Sequence, residues 1–158
     1  MIIQLPDEIL QKMEKALLSA GDKEIGGILM GEHLSTNIYC VKEITTQSKH
    51  GTIIKFIREV REIIMPLKRF FQNTSKNYKK YNYLGEWHSH PMFQLIPSSS
   101  DNELMWSIVE DSRVGANFAI LLIVKLNNHN EVEIAAYVYL PNRITYSAVV
   151  EKKGNDEQ

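Results

Sequence analysis

A single cysteine, Cys40, rules out an internal disulfide and every cysteine-clustered zinc site. Its simplest place is as a small apolar filler beside Tyr39 and Val41. No apolar run approaches the ~18 residues of a membrane-spanning helix, and no basic–apolar–small leader opens the chain. The expectation is a cytoplasmic protein without a membrane partner. Neither sign of charge dominates, with 18 Lys and Arg against 19 Asp and Glu and a net charge of -1. A general nucleic-acid binder would carry a strong basic surplus, so nucleic acid is not an expected partner.

What is present describes one globular domain. The 158 residues are 44% hydrophobic and 23% charged, enough to bury a core without staples. Residues 1–150 read as that domain, and the polar stretch from Glu151 to Gln158 reads as a frayed, disordered tail. Ile2 to Leu5 looks like an edge strand. Pro6 and Asp7 open a helix whose apolar residues Ile9, Met13, Ala16 and Leu17 share a face, and Gly21 closes it. Gly26 to Gly31 and Ile38 to Ile44 read as adjacent strands, followed by a polar loop from Thr45 to Gly51. Helical periodicity runs from Ile57 to Phe71, with Pro66 expected to kink or restart the helix. The basic residues between Lys55 and Lys80 read first as the wet face of that helix, and second as a docking patch for an acidic partner. Tyr81 to Trp87 is a strand. Ser100 and Glu103 form a capping-box pair ahead of a third helix, and Asn117 to Lys125 and Val132 to Leu140 are further strands. Strands interleaved with three helices predict an α/β fold layered around a mixed sheet.

Of the five histidines, His33, His50 and His129 sit in polar, turn-rich surroundings and read as solvated. His88 and His90 differ. Two apart on a strand, both project from one face and can reach one point in space. The loop after Pro91 leads to Asp101 at a helix start, which can return a carboxylate toward the strand end. Two histidines and a carboxylate leave one tetrahedral position for water, the pattern of catalytic zinc. The plainer alternatives are satisfied histidines and an acid favoured at a helix N-terminus. Other chemistries are absent. There is no H-E-x-x-H of a zincin protease, no P-C-x-x-C of a nucleobase deaminase and no G-x-S-x-G nucleophile elbow. A metal-activated water needs a general base, and either Glu24 or Glu86 can serve; spacing does not choose between them.

His88-Ser89-His90-Pro91, then Ser98 and Asp101, resembles the H-[ST]-H-P-x(6)-S-x-x-D motif of the JAMM/MPN+ zinc metalloproteases. Glu24 to Gly31 (E-I-G-G-I-L-M-G) resembles that family's upstream E-x-x-G-x-L-x-G element, and Leu84-Gly85-Glu86-Trp87 looks most like its prokaryotic JAB branch. Eukaryotic members usually place Trp directly after that glycine, where this chain has Glu86. The resemblance implies a cytidine-deaminase-like three-layer α/β/α sandwich, with zinc held by His88, His90 and Asp101. It makes Glu24 the general base and acid, and Ser98 the hydroxyl donor to the tetrahedral oxyanion.

It also implies hydrolysis of the amide bond after the glycine-ended tail of a ubiquitin-like protein, usually an isopeptide bond to lysine. Thr45 to Gly51 falls where the family carries a first substrate-contacting insertion, and the second insertion is missing. Prokaryotic relatives occur beside ubiquitin-activating-like and conjugating-like proteins, including in bacterial antiphage operons, where deconjugation is the expected role. The alternatives are maturation of a ubiquitin-like or sulfur-carrier precursor, and a metal-free MPN scaffold that only binds partners.

Overall fold

The structure, a computed structural model, describes residues 1–47, 60–112 and 114–154. Its strands are β1 (Ile2–Pro6), β2 (Gly26–Ser35), β3 (Ile38–Ile44), β4 (Tyr81–Ser89), β5 (Ala119–Leu126), β6 (Val132–Leu140) and β7 (Ile144–Lys153). Three helices join them: α1 (Asp7–Ala20), α2 (Val60–Asn73) and α3 (Ser99–Glu110). None of these helices is long and apolar enough to cross a membrane.

The expected three-layer sandwich is not what forms. The strands close into a barrel in the order β1-β3-β2-β4-β5-β6-β7, with β1 parallel to both β3 and β7. The strand that closes it, β7, is the element that sequence reading misses. Apolar and polar residues alternate only from Ile144 to Ala148 before Val149 and Val150 break the pattern, and Ile144, Tyr146 and Val149 are exposed, so the alternation marks no buried face. It is held by its neighbours, antiparallel to β6 and in register with β1 from Ile2↔Val149 to Pro6↔Lys153. Two corrections follow. Residues 151–153 are strand and not a frayed tail, and β1 is an interior strand and not an edge. Residues 155–158 lie outside the described residues, as do residues 48–51 of the polar loop and His50.

The sheet curls around α1. Ile9, Met13 and Leu17 enter one cluster with Ile3, Leu5, Leu29, Trp87, Ile120, Leu122 and Val124, so the helix fills the lumen. At its end Gly21 takes φ +59° and returns its N–H to the Leu17 carbonyl. On the outer face, α3 packs Met105, Ile108 and Val109 over Ala119, Leu121 and Ile123, while α2 seats Phe70 on Ile28 and Met30. β5 is apolar from Ala119 to Val124, where it is covered on both faces. Helix α2 continues through Pro66 as one element. Within the basic stretch, Lys68, Arg69, Lys76, Lys79 and Lys80 are exposed, Arg69 reaches Glu43 at 3.3 Å and Lys80 reaches Glu32 at 2.8 Å. Lys55 and Arg58 lie outside the described residues.

One irregularity in β4 positions everything that follows. Leu29 pairs with Gly85 and Met30 with Tyr83, so Leu84 is skipped and the strand bulges. Gly85 has φ +148°, and a Cβ there would overlap the Ile120 backbone. Before the bulge Leu84 points into the lumen; after it Trp87 does, and Glu86 and His88 face outward.

Candidate metal centre

His88 and His90 stand at the end of β4 with rings stacked 4.9 Å apart at 19°. Asp101, in the first turn of α3, completes a group whose ligand atoms all lie within 4.8 Å of one another. His88 Nε2 is 3.6 Å from Asp101 Oδ1, and His90 Nε2 is 3.7 Å from Asp101 Oδ2. Those separations are too long for hydrogen bonds. They suit ligands of one ion, since tetrahedral ligands at ~2.0–2.1 Å from zinc stand roughly 3.4 Å apart.

Two further observations fit a metal. His88 Nε2 is buried and has no hydrogen-bond partner among the described residues, an orphan that an ion would satisfy. Burial pushes the His88 pKa down to about 4 against the pull of Asp101, so its imidazole is neutral and ready to ligate. His90 is oriented from behind. Its Nδ1 lies 3.0 Å from the Gln94 carbonyl, which only accepts, so Nδ1 carries the proton and Nε2 the free lone pair.

The structure brings Glu24 to this group from the loop between α1 and β2. Its pKa is raised, first by burial, with His90 lowering it and Asp101 raising it further; the carboxylate is in the electrostatic reach of two members of the group. Ser89 places this loop. Pointing opposite to its histidine neighbours, it accepts the Ile25 N–H on Oγ at 3.0 Å and donates its own N–H to the Ile25 carbonyl at 2.8 Å. The rival base, Glu86, shares the outward face with His88 but is 2% exposed, with Tyr83 Oη donating to its Oε1 at 3.5 Å.

Ser98 has a role that the sequence reading assigned elsewhere. It, not Ser100, is the N-cap of α3: its Oγ accepts the Asp101 N–H at 3.2 Å, and its N–H donates to Asp101 Oδ2 at 2.6 Å. Glu103 instead pairs with Arg143 at 2.8 Å. The box aims Asp101 as it caps the helix. Ser98 Oγ also lies 3.0 Å from Ser100 Oγ, where either hydroxyl can be the donor, and Ser98 is exposed. Ser98→Ala is expected to lower the unfolding free energy by about 1 kcal/mol, with Ser99→Ala nearly silent; thermal unfolding of the two variants checks this.

Sequence reasoning missed the supports from β6. Tyr137 Oη donates to the Leu95 carbonyl at 2.7 Å, and Tyr139 Oη donates to Asn102 Oδ1 at 2.6 Å. The alternation of the two tyrosines along one strand was a usable signal, but their partners lie 42 and 37 residues away. Gly26 matters to the site too, since a Cβ there would overlap the Trp87 carbonyl and sit 2.9 Å from His88 Cβ.

No curated protein sequence matches this chain. Among solved structures it is similar to the solution structure of protein DSY2949 from Desulfitobacterium hafniense, with 18% identity over 98% of this chain and 95% of that one and a TM-score of 0.75. It is also similar to the solution structure of a protein from Salinibacter ruber, with 14% identity over 98% and 93% of the two chains and a TM-score of 0.57. Both likenesses concern the fold. The family model describing prokaryotic homologs of the JAB domain matches residues 6–138, and the chain belongs to that family.

Proposed function

We propose that this chain is a zinc-dependent isopeptidase that hydrolyses the amide bond after the glycine-ended tail of a ubiquitin-like protein, reversing its conjugation in the cytoplasm. The observation that carries the reading is the His88, His90 and Asp101 group with Glu24 coupled to it, in a member of the JAB family. His88, His90 and Asp101 would hold the zinc, which supplies a Lewis acid for the carbonyl and lowers the pKa of a water. Glu24 takes the proton from that water and returns it to the departing amine. The raised pKa of Glu24 suits both halves of that task. Ser98 donates a hydrogen bond from its hydroxyl to the carbonyl oxygen as negative charge develops there. Natural partners under this reading are the ubiquitin-like protein, its conjugates, and the activating-like and conjugating-like proteins that make them.

The test is incubation with a ubiquitin-like protein fused through its terminal glycine to a lysine side chain, followed by intact mass. The expected product is the ubiquitin-like protein ending at that glycine. Chelator stops the reaction, zinc restores it, and Ser98→Ala slows it by ~10²–10³-fold. Cleavage that tolerates a bulky residue in place of the final glycine, or equal rates on an unrelated short peptide, overturns the substrate assignment.

A further inference from the structure

At the end of β4 away from the histidines, the barrel wall parts. Pairing with β5 begins only at Gly85↔Ile120, so Tyr81 to Leu84 have β2 on one side and no strand among the described residues on the other. The segment from 114 to 118, which leads into β5, lies across the gap, and the two sides line a cavity of about 470 Å³. Small-molecule sites commonly occupy ~300–1,000 Å³ and are walled by aromatic and apolar side chains. Tyr83, in this lining, and His88 are five residues apart on one strand, roughly 16 Å, so the cavity is separate from the metal group.

Five of its rings form two groups. His33 stacks on Tyr39 at 4.9 Å and 20°, and Phe118 leans on Tyr39 at 4.9 Å. Phe71 meets Tyr78 edge-on at 4.8 Å. Among the described residues no ring of one group touches a ring of the other. Protein interiors seldom leave so much space beside aromatic rings, and a flat group entering it gains stacking contacts.

The lining carries two lysines, Lys79 and Lys80, and no acid. Lys80 is committed to Glu32 at 2.8 Å, and Glu32 also takes Lys42 at 3.2 Å, so that carboxylate is already matched twice. Lys79 has no ion pair among the described residues. The turn that bears both lysines is pinned from two directions. Lys76 N–H donates to the Phe71 carbonyl at 2.7 Å, and His33 N–H donates to the Lys80 carbonyl at 2.8 Å. An unpaired ammonium beside aromatic rings matches a ring that carries a negative group. A peptide strand matches less well, because the Tyr83 N–H is already taken by Asn82 Oδ1 at 2.9 Å.

We infer that this cleft is a second ligand site, which takes a small planar aromatic molecule bearing a phosphate or a carboxylate. The ring enters between the two aromatic groups, and Lys79 meets the charge. The inference is independent of the peptidase reading.

The test is calorimetry on the full chain with two aromatic anions, AMP and indole-3-acetate. Adenosine and indole-3-acetamide are their neutral counterparts, and inorganic phosphate and acetate are the anions without a ring. At least one aromatic anion is expected to bind once per chain with a Kd below ~1 mM, about tenfold tighter than both its neutral counterpart and its ring-free anion. The tighter of AMP and indole-3-acetate tells whether phosphate or carboxylate is preferred. Tyr78, 52% exposed, and Lys79, also exposed, can be replaced without opening the core. Tyr78→Ala and Lys79→Gln should therefore keep the melting temperature and metal content of wild type, yet each should bind that probe about tenfold more weakly. The inference is overturned if neither aromatic anion binds, or if a neutral or ring-free control binds as tightly. Affinity unchanged in either variant also overturns it, since the probe then sits elsewhere, the metal group included.

Discussion

Protein purified without chelator is expected to carry about one zinc ion per chain, and His88→Ala, His90→Ala and Asp101→Ala are each expected to lose it. The orphaned Nε2 of His88 and the 3.6 and 3.7 Å spacings to Asp101 are what such an ion would organise. Because a metal binds the folded chain far better than the unfolded one, stripping it should also lower the melting temperature. At a free metal concentration of ~1,000 Kd the stabilisation is about 4 kcal/mol, which for a domain of this size is on the order of 10 °C. Elemental analysis and thermal unfolding with and without chelator are the measurements. Metal-free protein from zinc-replete medium, or full metal retention in both histidine variants, would sink the assignment.

The second large effect concerns Glu24. Glu24→Gln preserves size and the backbone tether through Ile25 and Ser89, so it should fold and bind metal as wild type does. An amide cannot accept the proton, and turnover should fall by ~10²–10⁴-fold. Glu86→Gln provides the contrast. Glu86 is buried against Tyr83, so its loss should appear in stability more than in the chemical step. Single-turnover rates of the two variants at matched metal content decide between them. A crippled Glu86→Gln beside a nearly normal Glu24→Gln would make the strand carboxylate the base.

The metal group was legible in the sequence because its members lie close together in the chain. His88 and His90 share a face through strand alternation, and Asp101 returns through one short loop into a helix start. Local physics covers that distance. Barrel closure was not legible, because it depends on Ile2 to Pro6 meeting Val149 to Lys153, and nothing in the exposed, weakly alternating β7 announces its partner. The same holds for Ser89: between two histidines it reads as a spacer, and only the approach of Ile25, 64 positions away, makes it the tether of the Glu24 loop. The misplaced cap is a local error of another kind. Both Ser98-to-Asp101 and Ser100-to-Glu103 have the spacing of a capping box, and the helix adopts the one that also turns Asp101 toward the histidines.

Gly85 divides β4 into two reading frames. Upstream, the side chain given to the lumen is Leu84; downstream, Trp87 and Ser89 turn inward while His88 faces out. Removing a single residue at the bulge would slide one frame onto the other and exchange indole for imidazole across the wall. The histidines would then meet the greasy side of α1, and Trp87 would face the loop of Glu24. The bulge thus fixes the length of this strand as firmly as the core fixes its Leu84 and Trp87.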